Sequence, residues 1–64
     1  MIVLNGKPAE GGGATVAELL DGLDLPHRGV AVAVDAEVVP RGEWGTHVVP
    51  DGARVEVVTA VQGG

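Results

Sequence analysis

The chain has 64 residues, no cysteine and a formal net charge of −5, from nine acidic and four basic residues. A chain this short makes one domain that buries only about 60% of the surface its unfolded form exposes, and neither a disulfide nor a thiolate metal site can staple it. The acidic balance excludes a nucleic-acid binder built on a basic patch and suits a basic protein partner, and no apolar run nears the roughly 20 residues of a membrane helix.

Met1-Ile2-Val3-Leu4 predicts a first strand. Asn5-Gly6 follows, the strongest short hairpin signal, because both central positions of a type I′ turn need positive φ. Lys7-Pro8-Ala9-Glu10 is the return strand. Pro8 has no amide donor, which sends that strand to a sheet edge. Gly11-Gly12-Gly13 reads as a flexible loop. It lacks the glycine spacing and the Gly-Lys-Ser/Thr ending of a phosphate cradle. Thr15-Val16-Ala17-Glu18 has capping-box spacing. Val16, Leu19, Leu20 and Leu23 then fall on one helical stripe, with Gly22 as the expected left-handed stop.

Asp24 to Gly29 is a connecting loop. Val30-Ala31-Val32-Ala33-Val34 alternates large and small residues, so its valines should face the helix. Asp35-Ala36 is a turn, and Glu37-Val38-Val39-Pro40 a short strand ended by proline. Arg41 to Gly45 is rich in turn residues, and Thr46 to Val49 reads as a brief extended piece. Pro50-Asp51-Gly52 is another turn. The last strand runs from Arg54 to Thr59 or Ala60. Its apolar character predicts a central strand covered on part of both faces. The chain ends Val61-Gln62-Gly63-Gly64. Two glycines beside a terminal carboxylate can enter a slot too narrow for any Cβ.

The sequence holds no catalytic constellation. It has no serine and only three threonines, and His27 and His47 lie 20 positions apart without metal-ligand spacing. No carboxylate pair assigns an acid and a base. Trp44, the only aromatic residue, is either a packing anchor with its indole N–H bonded to backbone, or a partner contact. Arg41 carries the same two readings. No basic segment leads into an apolar stretch as in a signal peptide, so a soluble, cytoplasmic protein is expected.

The order of elements is that of an α+β, ubiquitin-like β-grasp: a mixed sheet of four to five strands on one short helix. That fold resemblance implies that the first and last strands lie side by side and parallel at the sheet centre. Asn5-Gly6, Thr15 to Leu20, Val38-Val39-Pro40-Arg41-Gly42-Glu43-Trp44, Asp51-Gly52 and Val55 to Gly64 resemble the ThiS sulfur carriers of thiamine biosynthesis. The Val-Pro-Arg-x-x-Trp segment and the Ala-Val-Gln-Gly-Gly end are the specific parts. Asp35-Ala36 departs from the Asn-Gly frequent in the family, and Ala53 from a common acidic residue.

The resemblance implies a division into a domain over residues 1–60 and a flexible tail over 61–64. It implies a carrier with no catalytic residues, metal or bound cofactor of its own. A ThiF-like adenylyltransferase would spend ATP to adenylate the Gly64 carboxylate. A sulfur donor such as a cysteine desulfurase would lead to a thiocarboxylate, and a ThiG-like thiazole synthase would take the sulfur. Gly63, Gln62 and Val61 would be recognised in the partners' slots, with Arg41 and Trp44 as contacts on the body. The alternatives are a carrier like the molybdopterin-synthase small subunit, a ubiquitin-like modifier of lysines, and a non-covalent interaction module.

Overall fold

The structure is a computed structural model that describes residues 1–59. The expected hairpin forms: Asn5 and Gly6 take φ of 50° and 85°. They fold β1 (Ile2–Leu4) onto β2 (Lys7–Ala9) with Leu4 opposite Lys7 and Ile2 opposite Ala9. The chain then crosses over through α1 (Val16–Gly22) to β3 (Val30–Val34), β4 (Glu37–Val38) and β5 (Arg54–Thr59). The described residues make one sheet in the order β2-β1-β5-β3-β4. β5 is central, parallel to β1 and antiparallel to β3. Pro8 sits in an edge strand, as its missing donor requires.

Helix α1 begins at the predicted capping box. The Thr15 hydroxyl accepts from the Glu18 amide at 3.1 Å, and the Glu18 carboxylate accepts from the Thr15 amide at 3.0 Å. The other first-turn donors find partners in the segment before β5. Val16 N–H donates to the His47 carbonyl and Ala17 N–H to the Trp44 carbonyl, both at 3.0 Å. That leaves no first-turn amide unpaired, which a buried helix end demands. The expected extended piece at 46–49 is thus committed to the helix entry. Val48 makes only an isolated bridge, to Thr15.

The helix stop differs from the sequence reading. Gly22 is the last helical residue, and the left-handed residue is Asp24, at φ 61°. Leu25 N–H donates to the Leu20 carbonyl and Asp24 N–H to that of Asp21, the two bonds of a Schellman motif. Leu25 packs back on the core. The apolar contact after the turn sets the stop here, and a short polar side chain tolerates the left-handed position.

Ile2, Val16, Leu20, Val32, Val49 and Val55 are buried to 2% exposure or less between helix and sheet. β3 behaves as predicted, with Val32 and Val34 buried. β5 is central by hydrogen bonding but is covered on one face only. Val55 is buried, whereas Glu56 is exposed and Val58 is 60% exposed. Among the described residues one α-helix of seven residues covers one side of five strands, and no second layer covers the other.

Two of the three glycines stand where a Cβ would collide: one on Gly11 would lie 2.6 Å from Leu19 Cδ1. A Cβ on Gly12 would lie 2.9 Å from the Asp51 Cα and 2.7 Å from its Oδ1. Gly13 N–H donates to the Val49 carbonyl at 2.7 Å. The Asp51 turn also holds the chain start: the Met1 ammonium pairs with Asp51 Oδ1, and Gly52 N–H donates to the Met1 carbonyl at 2.8 Å. The ammonium's hydrogen bond and charge hold the Asp51 carboxyl below its ordinary pKa.

Ala36 holds φ 73° in the β3–β4 turn, a conformation that costs about 1–2 kcal/mol for a residue with a Cβ. Ala36→Gly should therefore stabilise by about 0.5–1 kcal/mol after the greater unfolded-state entropy of glycine, a rise of roughly 2–8 °C in Tm. An unchanged or lower Tm would contradict the turn geometry. Gly12→Ala should destabilise by about 1–3 kcal/mol, as overpacking against backbone does. For Asp51 the folded pKa is the lower one, so its contribution is present above the unfolded value and fades as pH falls through the folded one. Asp51→Asn should flatten the acid side of a stability–pH curve, and an unaltered slope would discount the pair.

Candidate functional site

Three features bear on function: where β5 delivers the chain, the open face of the sheet, and the segment around Arg41. β5 pairs along its whole length with β3, from Val34↔Val55 to Val30↔Thr59. On its other edge it pairs with β1 at Val3↔Arg54 and Leu4↔Val55. The expected site residues Val61, Gln62, Gly63 and Gly64 lie outside the described residues, and follow this strand in sequence.

The Asn5 side chain, which sequence reasoning took only as a turn residue, also reaches this strand. Its Oδ1 accepts from Val57 N–H at 2.9 Å, and its Nδ2 donates to the Val57 carbonyl at 3.2 Å. The signal in the sequence was the choice of Asn, the one turn residue with a complete amide in its side chain.

The face of the sheet away from α1 is open. Register puts Val58 opposite Ala31, and Ala33 opposite both Glu56 and Val38. Val38 is 73% and Val58 60% exposed, over small alanines. The result is an open, mostly apolar surface with charged residues Glu56 and Arg54 along its centre.

Arg41 and Trp44 lie elsewhere, beside the helix. Arg41 opens a 3₁₀ turn, Arg41–Glu43. Its guanidinium donates to the His27 carbonyl at 3.0 Å and lies 5.8 Å from the Trp44 ring centroid. His27 meets that ring edge-on and pairs with Asp21 at 2.9 Å. Trp44 itself is 4% exposed and its Nε1 donates to the Val39 carbonyl at 2.9 Å. The packing reading of Trp44 therefore holds, and the expected partner contact through its ring is corrected. With no phenylalanine or tyrosine in the chain, its bulk is needed to fill the core beneath the 40–49 segment. Arg41 is the exposed member of the pair.

Among the described residues no three His, Asp or Glu side chains come together as a metal site. No helix among them is long and apolar enough to cross a membrane.

Comparison with known proteins agrees with this geometry. The model of the ThiS family matches residues 2–64. The sulfur carrier protein ThiS of Escherichia coli is 40% identical over 52 residues, covering 81% of this chain and 79% of that protein. The sulfur carrier protein ThiS of Thermus thermophilus is 38% identical over 64 residues, covering both chains fully. The crystal structure of the thiamine biosynthesis protein ThiS from Geobacter metallireducens superposes with a TM-score of 0.81 at 34% identity, over 98% of this chain and 97% of that one. Sequence and fold agree over nearly the whole length, and the chain belongs to the ThiS family.

Proposed function

We propose that this chain is a sulfur carrier for thiamine biosynthesis and that the carboxylate of Gly64 is its covalent site. The observation that carries the reading is a relative that matches end to end, the sulfur carrier protein ThiS of Thermus thermophilus, 38% identical over all 64 residues. The chemistry of the residues supports it. A carboxylate is a poor electrophile because its oxygen is a poor leaving group. An adenylating partner bonds that oxygen to the α-phosphorus of ATP, with pyrophosphate as the group released, so that AMP becomes the leaving group on the acyl carbon. Sulfide would displace AMP to leave a thiocarboxylate directly. A persulfide donor would displace AMP to give an acyl disulfide, from which a thiol releases the thiocarboxylate as a new disulfide forms. The sulfur of the thiocarboxylate then passes to a thiazole synthase.

The carrier supplies no general acid or base in this scheme. It supplies a body to grip and an arm to insert. Residues 61–64, extended, reach roughly 13 Å at about 3.3 Å each, enough to enter a buried site while the body stays outside. The division is therefore a domain over 1–60 and an arm over 61–64. Gly63 and Gly64 give the arm its thin end, and Gln62 and Val61 its only side chains. The partners are an adenylyltransferase, a sulfur donor such as a cysteine desulfurase and a thiazole synthase, all in the cytoplasm. Arg41 and the open sheet face are the contacts proposed for the body. The two lie on different sides of the sheet, so two partners can use different surfaces.

Intact mass after incubation with an adenylating partner, ATP and a sulfur donor tests the reading. The expected product has one oxygen replaced by sulfur, and an unchanged mass would overturn it. Deleting Gly64 should abolish the product while changing stability by no more than about 0.5 kcal/mol. Arg41→Glu should slow association with the adenylating partner several-fold, more at low salt, as rim charges do. Equal association rates for both proteins would remove Arg41 from the contact.

A further inference from the structure

We infer that Asn5 is a positioning residue for the carboxyl-terminal chemistry: its side-chain amide stands in for a missing peptide group of β1 and fixes where on β5 the arm begins. The inference rests on the carrier reading above and adds a residue far from the tail in sequence.

The argument starts from the parallel ladder. Val3 N–H donates to the Ala53 carbonyl and Asn5 N–H to the Val55 carbonyl, both at 2.9 Å. Parallel pairing repeats every two residues, so the next rung should join Val57 N–H to the backbone carbonyl of residue 5, and the Val57 carbonyl to the amide of residue 7. That rung cannot form, because the chain turns away. Asn5 and Gly6 both take positive φ, and Lys7 is already pairing backwards with Leu4 in β2. Val57 would be left with both backbone groups bare on this edge.

The Asn5 side chain supplies both partners. Oδ1 takes the place of the diverted carbonyl, at 2.9 Å from Val57 N, and Nδ2 that of the diverted amide, at 3.2 Å from Val57 O. A side-chain carboxamide has one acceptor and one donor side by side, which is the chemistry of a peptide group. Glycine would satisfy the turn and leave the rung open. Aspartate would accept from Val57 N–H but could not donate to its carbonyl. Asparagine alone of the residues favoured at positive φ meets both demands.

The consequence lies at the strand's end. Sealing Val57 extends the two-sided hold on β5 beyond the last backbone rung of β1, to within two residues of Thr59, where the described strand stops. Without it β5 would be held on this edge only as far as Val55 and beyond that by β3 alone, so the strand end would fray more often and each frayed state would lengthen the free segment. A longer free segment dilutes its own end: the effective concentration of a tethered group falls as the tether lengthens. The body would dock as before, but the carboxylate would reach the reacting geometry less often.

Two variants separate this role from turn formation. Asn5→Gly keeps the positive φ and removes the amide. Asn5→Asp keeps one of the two bonds. In Asn5→Gly the Val57 amide should exchange with solvent about tenfold faster or more, the protection that roughly one hydrogen bond confers, with Ile2 and Val32 amides unchanged. In pyrophosphate-release assays with the adenylating partner, kcat should fall about three- to tenfold with KM unchanged, because tail placement suffers and body docking does not. Asn5→Asp should recover part of both effects. Unchanged Val57 exchange in Asn5→Gly would overturn the clamp. Faster exchange with wild-type kcat, or a change in KM alone, would overturn the positioning role. A wild-type chain that is not adenylated overturns the carrier reading instead, a result distinct from an adenylated wild type beside an equally active Asn5→Gly.

Discussion

The structure depends on the pairing of the last strand between the first and the third. β5 is hydrogen-bonded on both edges, parallel to β1 and antiparallel to β3. The β1–β5 pairing joins the two ends of the described chain at the centre of the sheet, so the fold is closed by its most distant contacts. The helix crossover is what makes the parallel pair feasible, because parallel strands need a connection of a dozen or more residues. The segment between β4 and β5 then returns under the helix and provides Trp44 to the core and carbonyls to the first turn of α1. Each part is marginal alone, and the sheet, the helix and the return segment stabilise one another through one shared apolar layer.

That economy also divides the surface. One short helix covers one face of the sheet and leaves the other to solvent, with Val38, Val58 and the small alanines between them. An apolar face with few charges is expensive to leave bare in a monomer and useful for docking. The side beside the helix is different, with Arg41 stacked over Trp44 and joined to His27. Under the proposed function, a carrier that visits more than one enzyme would benefit from two unlike surfaces on one body.

Much of the fold was legible in the sequence, because its signals are local. Asn5-Gly6, the Thr15–Glu18 box, the Val16–Leu20 stripe and the alternation in β3 each name their element. What stayed hidden was set by tertiary contact. The helix stop passed from Gly22 to Asp24 because Leu25 packs back on the core. The three glycines read as slack, whereas Gly12 is needed for close approach to Asp51. β5 read as covered on both faces, since composition does not separate burial by pairing from burial by a second layer. Trp44 could be anchor or contact until its exposure was known. The Asn5 clamp required the register of two strands 52 positions apart. The tail's chemistry came from resemblance rather than from periodicity, because nothing in Gly63-Gly64 names its reagent.

The proposed carrier requires a rigid body and an arm that begins where the paired strand ends. Backbone ¹⁵N relaxation distinguishes the two. Order parameters should be about 0.85 along β5 as far as Val58 and fall below about 0.6 over Gln62 to Gly64. A tail as ordered as the strand, or a β5 whose order already decays from Val55, would contradict it.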